Sequence, residues 1–303
     1  NIGATSVGGM INNVKAYAGI LMPGVVHMRH THLDEHKYIS GQPETGADIA
    51  NDLDRICANF GAENIAACIV EPIAGSTGTL VPPVGYLQRL RELCDKHNIL
   101  LIFDEVITGW GRTGSTFGAQ EFGVTPDIMT MAKATTNGIV PFGVVACKEE
   151  IYDAVIDNSP KGVIELFHGY TYSGHPVACA VSLENLKIIK EENLIEQSRN
   201  VSVYLEQQMR EIEKHPLVGE VRMKSFIGAV ELVKDKETRE MFQDTGTVGT
   251  ICRDYCIQNG LVMRAVRDGM IFCPPLIFNN NHVDELCEKL KTSLDQTLDH
   301  ISK

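Results

Sequence analysis

Long apolar runs are missing from this chain, as are paired-cysteine motifs, any tryptophan beyond a single residue, and any surplus of positive charge. The longest apolar stretch, around Ile99 to Phe103, runs into Asp104-Glu105. That is far short of the roughly 20 residues a helix needs to cross a bilayer. The 27 Lys and Arg are outnumbered by 39 Asp and Glu, giving a net charge of −12. Such a balance opposes neutralising nucleic-acid phosphates or docking on anionic lipid, so the expected partners are small molecules or another protein chain. The 9 cysteines are odd in number and show no zinc-type CxxC pairing. They fit a reducing compartment better than a disulfide framework, and a cytoplasmic location is expected. Cys252 and Cys256, one helical turn apart, read as core packing. The opening Asn1-Ile2-Gly3-Ala4-Thr5-Ser6 has neither an initiator Met nor a charged-then-apolar signal pattern, and reads as a start cut from a longer frame.

What is present is an ordinary globular composition, 44% hydrophobic and 22% charged over 303 residues, enough to close one large or two moderate cores. Between Ile65 and Cys147, short β-branched runs alternate with helical stretches, the pattern of a parallel α/β sheet covered by helices. Strands are expected at Ile65–Glu71, Ile99–Val106, Asp127–Met131 and Phe142–Cys147. Pro82-Pro83 opens a helix in which Leu87, Leu90 and Cys94 recur at helical spacing, closing near His97-Asn98. A short helix is expected near Glu149–Ile156. A long one follows Gly174-His175-Pro176 to about Glu192, with Val177, Val181, Leu183, Leu186 and Ile189 as its buried face. The expected division is a larger unit over 1–192 and a smaller α+β unit over 193–303. The latter has helices near 194–214 and from about His282, and strands near 218–223, 227–233, 261 and 271.

In open α/β sheets ligands bind beyond the carboxyl ends of the strands, so Glu71, Asp104 and Lys133 should face one crevice. A lysine can form a Schiff base with an aldehyde and then move a proton as the freed amine, while a buried carboxylate can keep a pyridine nitrogen protonated. The pair Asp104 and Lys133 therefore suits pyridoxal phosphate, a ring held at both its nitrogen and its aldehyde. Gly109, Gly111 and Gly114, with Arg112 among them, do not link a strand directly to a helix. They read as a constrained loop beside the site, braced by Arg112, and not as a dinucleotide fingerprint. His27, His30, His32 and His36, with Asp34 between, invite a zinc reading, but their spacings share no single helix face. They read as a polar surface segment, and no metal is expected.

Several segments occur together and in order: Ile69-Val70-Glu71-Pro72-Ile73-Ala74-Gly75-Ser76, Phe103-Asp104-Glu105-Val106-Ile107-Thr108-Gly109, Ala132-Lys133, Phe167-His168-Gly169-Tyr170-Thr171-Tyr172-Ser173-Gly174-His175-Pro176 and Met263-Arg264-Ala265. Over essentially its whole length the chain resembles the class III, fold-type I pyridoxal-phosphate aminotransferases. Among these it is most similar to the β-alanine or ω-amino acid:pyruvate enzymes. The resemblance implies a mostly parallel large domain, incomplete at its N-terminus, with a smaller C-terminal domain. It implies that Lys133 is the Schiff-base lysine, Asp104 the pyridinium partner, Val106 the apolar residue under one ring face, and Glu71 a neighbour behind them. Tyr170 through its backbone and Thr171 through its hydroxyl would bind the cofactor phosphate of the neighbouring subunit, which implies a homodimer or a dimer of dimers with shared sites.

Arg264 matches the family's substrate-carboxylate arginine, a role suited to a planar bidentate donor, with Arg267 as the nearby rival. Relatives that use 2-oxoglutarate commonly carry Gln-Gly-Glu-Gly where this chain has Ala74-Gly75-Ser76-Thr77. Ser76 cannot neutralise the arginine as that glutamate can, which points to pyruvate as acceptor and an ω-amine such as β-alanine as donor. The family's Gly-Ser phosphate cradle and Tyr-His-Gly aromatic segment would both lie upstream of Asn1. Alternatives are a class III enzyme acting on a diamine, taurine or 4-aminobutyrate, an aminomutase, or a non-catalytic fragment of such an enzyme.

Overall fold

The structure, a computed structural model, describes every residue except Asn1, Tyr38, Ser40, Phe167 and Gly169. Two short helices, α1 (Ile2–Val7) and α2 (Ile11–Tyr17), lead through extended segments to α3 (Asp52–Phe60). Next come β1 (Ala67–Val70), α4 (Tyr86–His97), β2 (Leu100–Asp104), α5 (Gly118–Glu121), β3 (Ile128–Met131), β4 (Val144–Cys147) and α6 (Glu149–Asp157). Strands β1, β2 and β3 are neighbours and parallel, and β4 closes the order as an antiparallel strand beside β3. The strands are shorter than the sequence pattern suggests, but each lies inside its expected span.

Helix α4 shows why the crossover works. Leu87, Leu90, Leu93 and Cys94 are all buried, packing onto Leu101 and Phe103 of β2 and onto Leu53 of α3. Asn98, in the left-handed region at φ 54°, stops the helix, with Lys96 and His97 in the last turn where cations favour the dipole. Asp127, just before β3, then ties three elements together. It accepts the Leu101 N–H at 2.7 Å, Arg91 Nη1 at 2.7 Å and Lys148 Nζ at 2.6 Å.

The remaining chain forms α7 (Pro176–Glu191), α8 (Leu194–Ile212), β5 (Val218–Lys224), β6 (Ile227–Leu232), α9 (Thr247–Gln258), β7 (Arg264–Val266), β8 (Gly269–Phe272) and α10 (Asn280–Ile301). Its sheet is fully antiparallel in the order β5-β6-β8-β7, so among the described residues β7 is an edge strand paired only with β8. Helices α8, α9 and α10 cover it through Leu205, Met209, Cys252, Cys256, Val283, Leu290 and Leu294, all buried, so Cys252 and Cys256 are core residues. Asn279 caps α10 reciprocally with His282.

The expected buried face of α7 is corrected. Ala178, Ser182 and Ile189 are buried, whereas Val177 is 56% and Leu183 70% exposed. The helix packs against α8 and the turn at Lys133, where Asn185 Nδ2 donates to the Ala134 carbonyl at 2.7 Å. Close approach selects its small residues there and turns two larger ones outward. No helix among the described residues is long and apolar enough to cross a membrane.

Candidate active site

The sheet register brings the sequence-predicted carboxylates and lysine to one edge. Val70 lies opposite Phe103 and Asp104 opposite Thr130, so Glu71, Asp104 and the segment leading to Lys133 leave three adjacent parallel strands on the same side. Lys133 opens a 3-10 turn, Lys133–Thr135, with φ 45°, a left-handed conformation uncommon outside glycine. Strain of this kind persists only where neighbours over-determine it. Here Thr135 Oγ1 donates to the Ala132 carbonyl at 3.0 Å and accepts Trp110 Nε1–H at 2.9 Å, and Asn185 holds the Ala134 carbonyl.

Electrostatics join these groups. Partial burial pushes the Lys133 amine below the usual lysine range; Asp104 and Glu71 pull against it and Arg264 adds to it. Burial raises the Glu71 carboxyl, opposed by the Gly75 N–H that donates to its Oε2 at 2.9 Å and by Lys133, while Asp104 pushes it further up. Asp104 Oδ1 accepts the N–H of half-buried Val106, two residues on, at 3.0 Å, which orients the carboxylate. An amine with a lowered pKa is a better nucleophile near neutrality, which is what a Schiff-base lysine needs.

The other side of the site comes from the second sheet. Arg264 is exposed at the first position of β7 and lies within the field of Lys133; Arg267 sits past the opposite end of β7, at φ 53°. Cys273, just after β8, is a further titratable group near Lys133; burial of its sulfur pushes the thiol up, with Arg112 and then Lys133 opposing. Ser76 is half-buried in a tight loop, where the Gly78 and Thr79 N–H groups both donate to the Gly75 carbonyl.

Tyr170 and Thr171 are not brought to this cluster. Tyr170 is 68% exposed and stacks on His168 with ring centroids 3.4 Å apart, and Thr171 is exposed as well. Neither shares a hydrogen bond with Lys133, Asp104 or Glu71 among the described residues. Phe167 and Gly169 of the same motif lie outside the described residues. The histidine segment is dispersed: His27 Nε2 faces the Gly8 carbonyl at 3.2 Å, His36 Nδ1 the Thr31 carbonyl at 2.8 Å, and His32 lies 3.9 Å from Glu220. Among the described residues no group of three or more His, Cys, Asp or Glu converges as metal ligands would.

Several supporting residues escape a sequence reading. Glu105 is fully buried and accepts the Thr108 hydroxyl, the Gly118 N–H at 2.8 Å and the Ala119 N–H at 2.7 Å, so it shapes the glycine loop and does not face the crevice. Its adjacency to Asp104 is the only sequence signal it offers, because alternation along β2 sends neighbours to opposite faces. Trp110, Asn185 and Cys273 carry no motif and become visible only through their partners.

The chain is 45% identical over 300 residues to an omega-aminotransferase of Caulobacter vibrioides, covering 97% of this chain and 65% of that protein. It is 42% identical over 299 residues to a putrescine–pyruvate aminotransferase of Pseudomonas aeruginosa, covering 97% and 64%. The chain thus spans a little under two thirds of the length of these relatives. The crystal structure of an omega transaminase from Pseudomonas jessenii in complex with PMP superposes with a TM-score of 0.90 at 35% identity, covering 100% of this chain and 66% of that one. The family model for class III aminotransferases matches residues 2–294, and the chain belongs to that family.

Proposed function

We propose that this chain carries the cofactor-bonding centre of a pyridoxal-phosphate-dependent aminotransferase that moves an amino group from an ω-amino acid or amine, such as β-alanine, to pyruvate, giving alanine and a semialdehyde. The observation behind this reading is the convergence of Lys133, Asp104 and Glu71 at three adjacent strand ends, with Arg264 at the start of β7 near enough for its charge to act on Lys133.

The residues present fit the cofactor. Asp104 offers an acceptor for a protonated ring nitrogen, Lys133 an amine of lowered pKa for its aldehyde, and Val106 an apolar side chain for a ring face. When bound, that group supplies an electron sink for charge developing at the donor carbon next to nitrogen. Lys133 Nζ would hold the cofactor's aldehyde and, as a free amine, would carry the proton of the donor carbon next to nitrogen. Glu71, protonated more readily than an ordinary glutamate, tempers the negative charge beside Asp104. Arg264 binds the substrate carboxylate by a bidentate pair.

Tyr170 and Thr171, exposed and away from Lys133 in their own chain, suit a role at the cofactor phosphate of a neighbouring subunit in a homodimer. Pyruvate as acceptor is supported by Ser76 in place of a carboxylate and by the Pseudomonas aeruginosa relative's name. That name also favours a second reading for the donor, a diamine. A cytoplasmic location belongs to the same reading.

The test is spectroscopic and kinetic. Pyridoxal phosphate should give the purified chain a visible band that β-alanine or putrescine bleaches and pyruvate restores, and Lys133→Ala should abolish it. A colourless protein would point to a non-catalytic fragment. Higher specificity for 2-oxoglutarate than for pyruvate would overturn the acceptor assignment.

A further inference from the structure

We infer that Arg112 is a positioning residue for the carboxylate end of the substrate cleft: it locks the sheet that bears Arg264 onto the loop that follows Asp104. The inference rests on the proposed role of Arg264.

Arg112 belongs to the loop leaving β2, and that loop lies flat on the second sheet. Arg112 Nη1 donates to the Phe226 carbonyl at 3.1 Å and also to the Pro274 carbonyl, while the Arg112 carbonyl accepts the Phe226 N–H at 3.1 Å. One residue thus grips the β5–β6 turn in both directions and the segment after β8 as well. Arg199 Nε on α8 donates to the Gly114 carbonyl at 2.8 Å from the facing side.

The glycines make this approach possible. Gly111 has φ 99°, and a Cβ there would stand 3.1 Å from both Ile195 and Leu276. Gly114 has φ 84°, and its Cβ would stand 3.1 Å from Ser225 Oγ. Backbone freedom and lack of bulk are both used.

A short chain of contacts then reaches Arg264. Pro274 follows β8 by two residues, β8 is the only sheet neighbour of β7 among the described residues, and Ile271 of β8 lies opposite Arg264. A shift at Pro274 therefore passes to Arg264 with no second strand to resist it. Cys273, next to Pro274, lies in the fields of both Arg112 and Lys133, which puts this joint at the cleft. Both carbonyls, on two separate segments, are reached by the single nitrogen Nη1, which the planar guanidinium holds in a fixed direction and a flexible lysine stem would hold less firmly.

The test uses Arg112→Leu, Arg112→Lys and the control Arg264→Leu in the cofactor-loaded protein, with hydrogen exchange on the unloaded chain. Arg112→Leu should raise KM for pyruvate about tenfold or more. It should leave the cofactor's visible band and KM for an uncharged monoamine donor near their parent values, and faster exchange should appear in the segments around 226 and 263–273. Arg112→Lys should fall between parent and Arg112→Leu on both readouts. If Arg264→Leu raises KM for pyruvate while neither Arg112 variant does, the positioning role is wrong and the Arg264 reading stands. If Arg264→Leu leaves that KM unchanged, the Arg264 reading fails, and the inference with it. Unchanged exchange in the Arg112 variants overturns the latch whatever the kinetics; should Arg112→Leu not fold, Arg112→Lys carries both readouts.

Discussion

Trp110 donates its indole N–H to Thr135 Oγ1 at 2.9 Å, tying the loop after the Asp104 strand to the turn that carries Lys133. Thr135 is buried, and Trp110 is the only tryptophan of the chain, packed edge-on against Phe117 at 4.9 Å. Thr135→Val keeps the shape but leaves that donor without its acceptor, which should cost about 1–3 kcal/mol. Denaturant unfolding measures the loss, and the emission of the single tryptophan should shift in the folded state. An unchanged midpoint and spectrum would show that the bond does not hold the turn.

Asp127→Ala should destabilise by about 1–3 kcal/mol, because it leaves the buried Leu101 N–H without an acceptor and removes one of the two carboxylates on Arg91, Asp95 being the other. Burial alone would raise the Asp127 carboxyl, but Lys148, the Leu101 N–H and Arg91 together hold it below the usual carboxylate range. A depressed carboxyl stabilises above its unfolded value, 3.8, and loses that contribution as pH falls through the folded pKa. Parent and variant unfolding curves should therefore converge below about pH 4 and stay apart at pH 7.

His32 gives a pH dependence of stability in a different window. Burial, with Arg222 and then Lys37 adding, pushes its pKa from 6.5 down to about 4. The folded state thus refuses a proton that the unfolded state takes up. Stability from this site is full above pH 6.5 and is lost as pH falls through about 4, at a slope of roughly 1.4 kcal/mol per pH unit between the two. His32→Gln should flatten unfolding free energy against pH in that interval. An equal slope in parent and variant would dismiss the assignment.

Gly228 of β6 is crossed by the ring of Phe272, and a Cβ at 228 would lie 2.1 Å from Phe272 Cζ. Gly228→Ala should destabilise by about 1–3 kcal/mol through overpacking. Phe272→Leu should relieve part of that in the double variant, so the two changes should be non-additive in a thermal unfolding cycle. Strict additivity would mean the ring does not occupy that space.

Much of the fold was readable because alternating apolar runs and turn residues report local structure. The four strands from Ala67 to Cys147 and the helix behind Leu87, Leu90 and Cys94 follow directly from period and punctuation. The face of α7 was not readable in the same way. Its apolar residues mark a helix, but which side is covered depends on how closely the Lys133 turn and α8 approach, and that closeness selects Ala178 and Ser182. Glu105 shows the same limit: nothing in the sequence beside Asp104 marks its role, yet it is buried and satisfied by the glycine loop.

From the sequence alone come the parallel character of the sheet and the shared edge on which Glu71, Asp104 and Lys133 stand, since parallel strands of similar length end on one side by construction. The motifs there name the chemistry, a lysine for an aldehyde and an acid for a ring nitrogen. Tertiary structure alone decides what faces them. Arg264 and Cys273 arrive from a sheet more than a hundred residues downstream, and Arg112 fastens that sheet by contacts no spacing encodes. The lowered pKa of Lys133 also belongs to the tertiary level, because desolvation and Coulomb forces depend on distance through space and not along the chain.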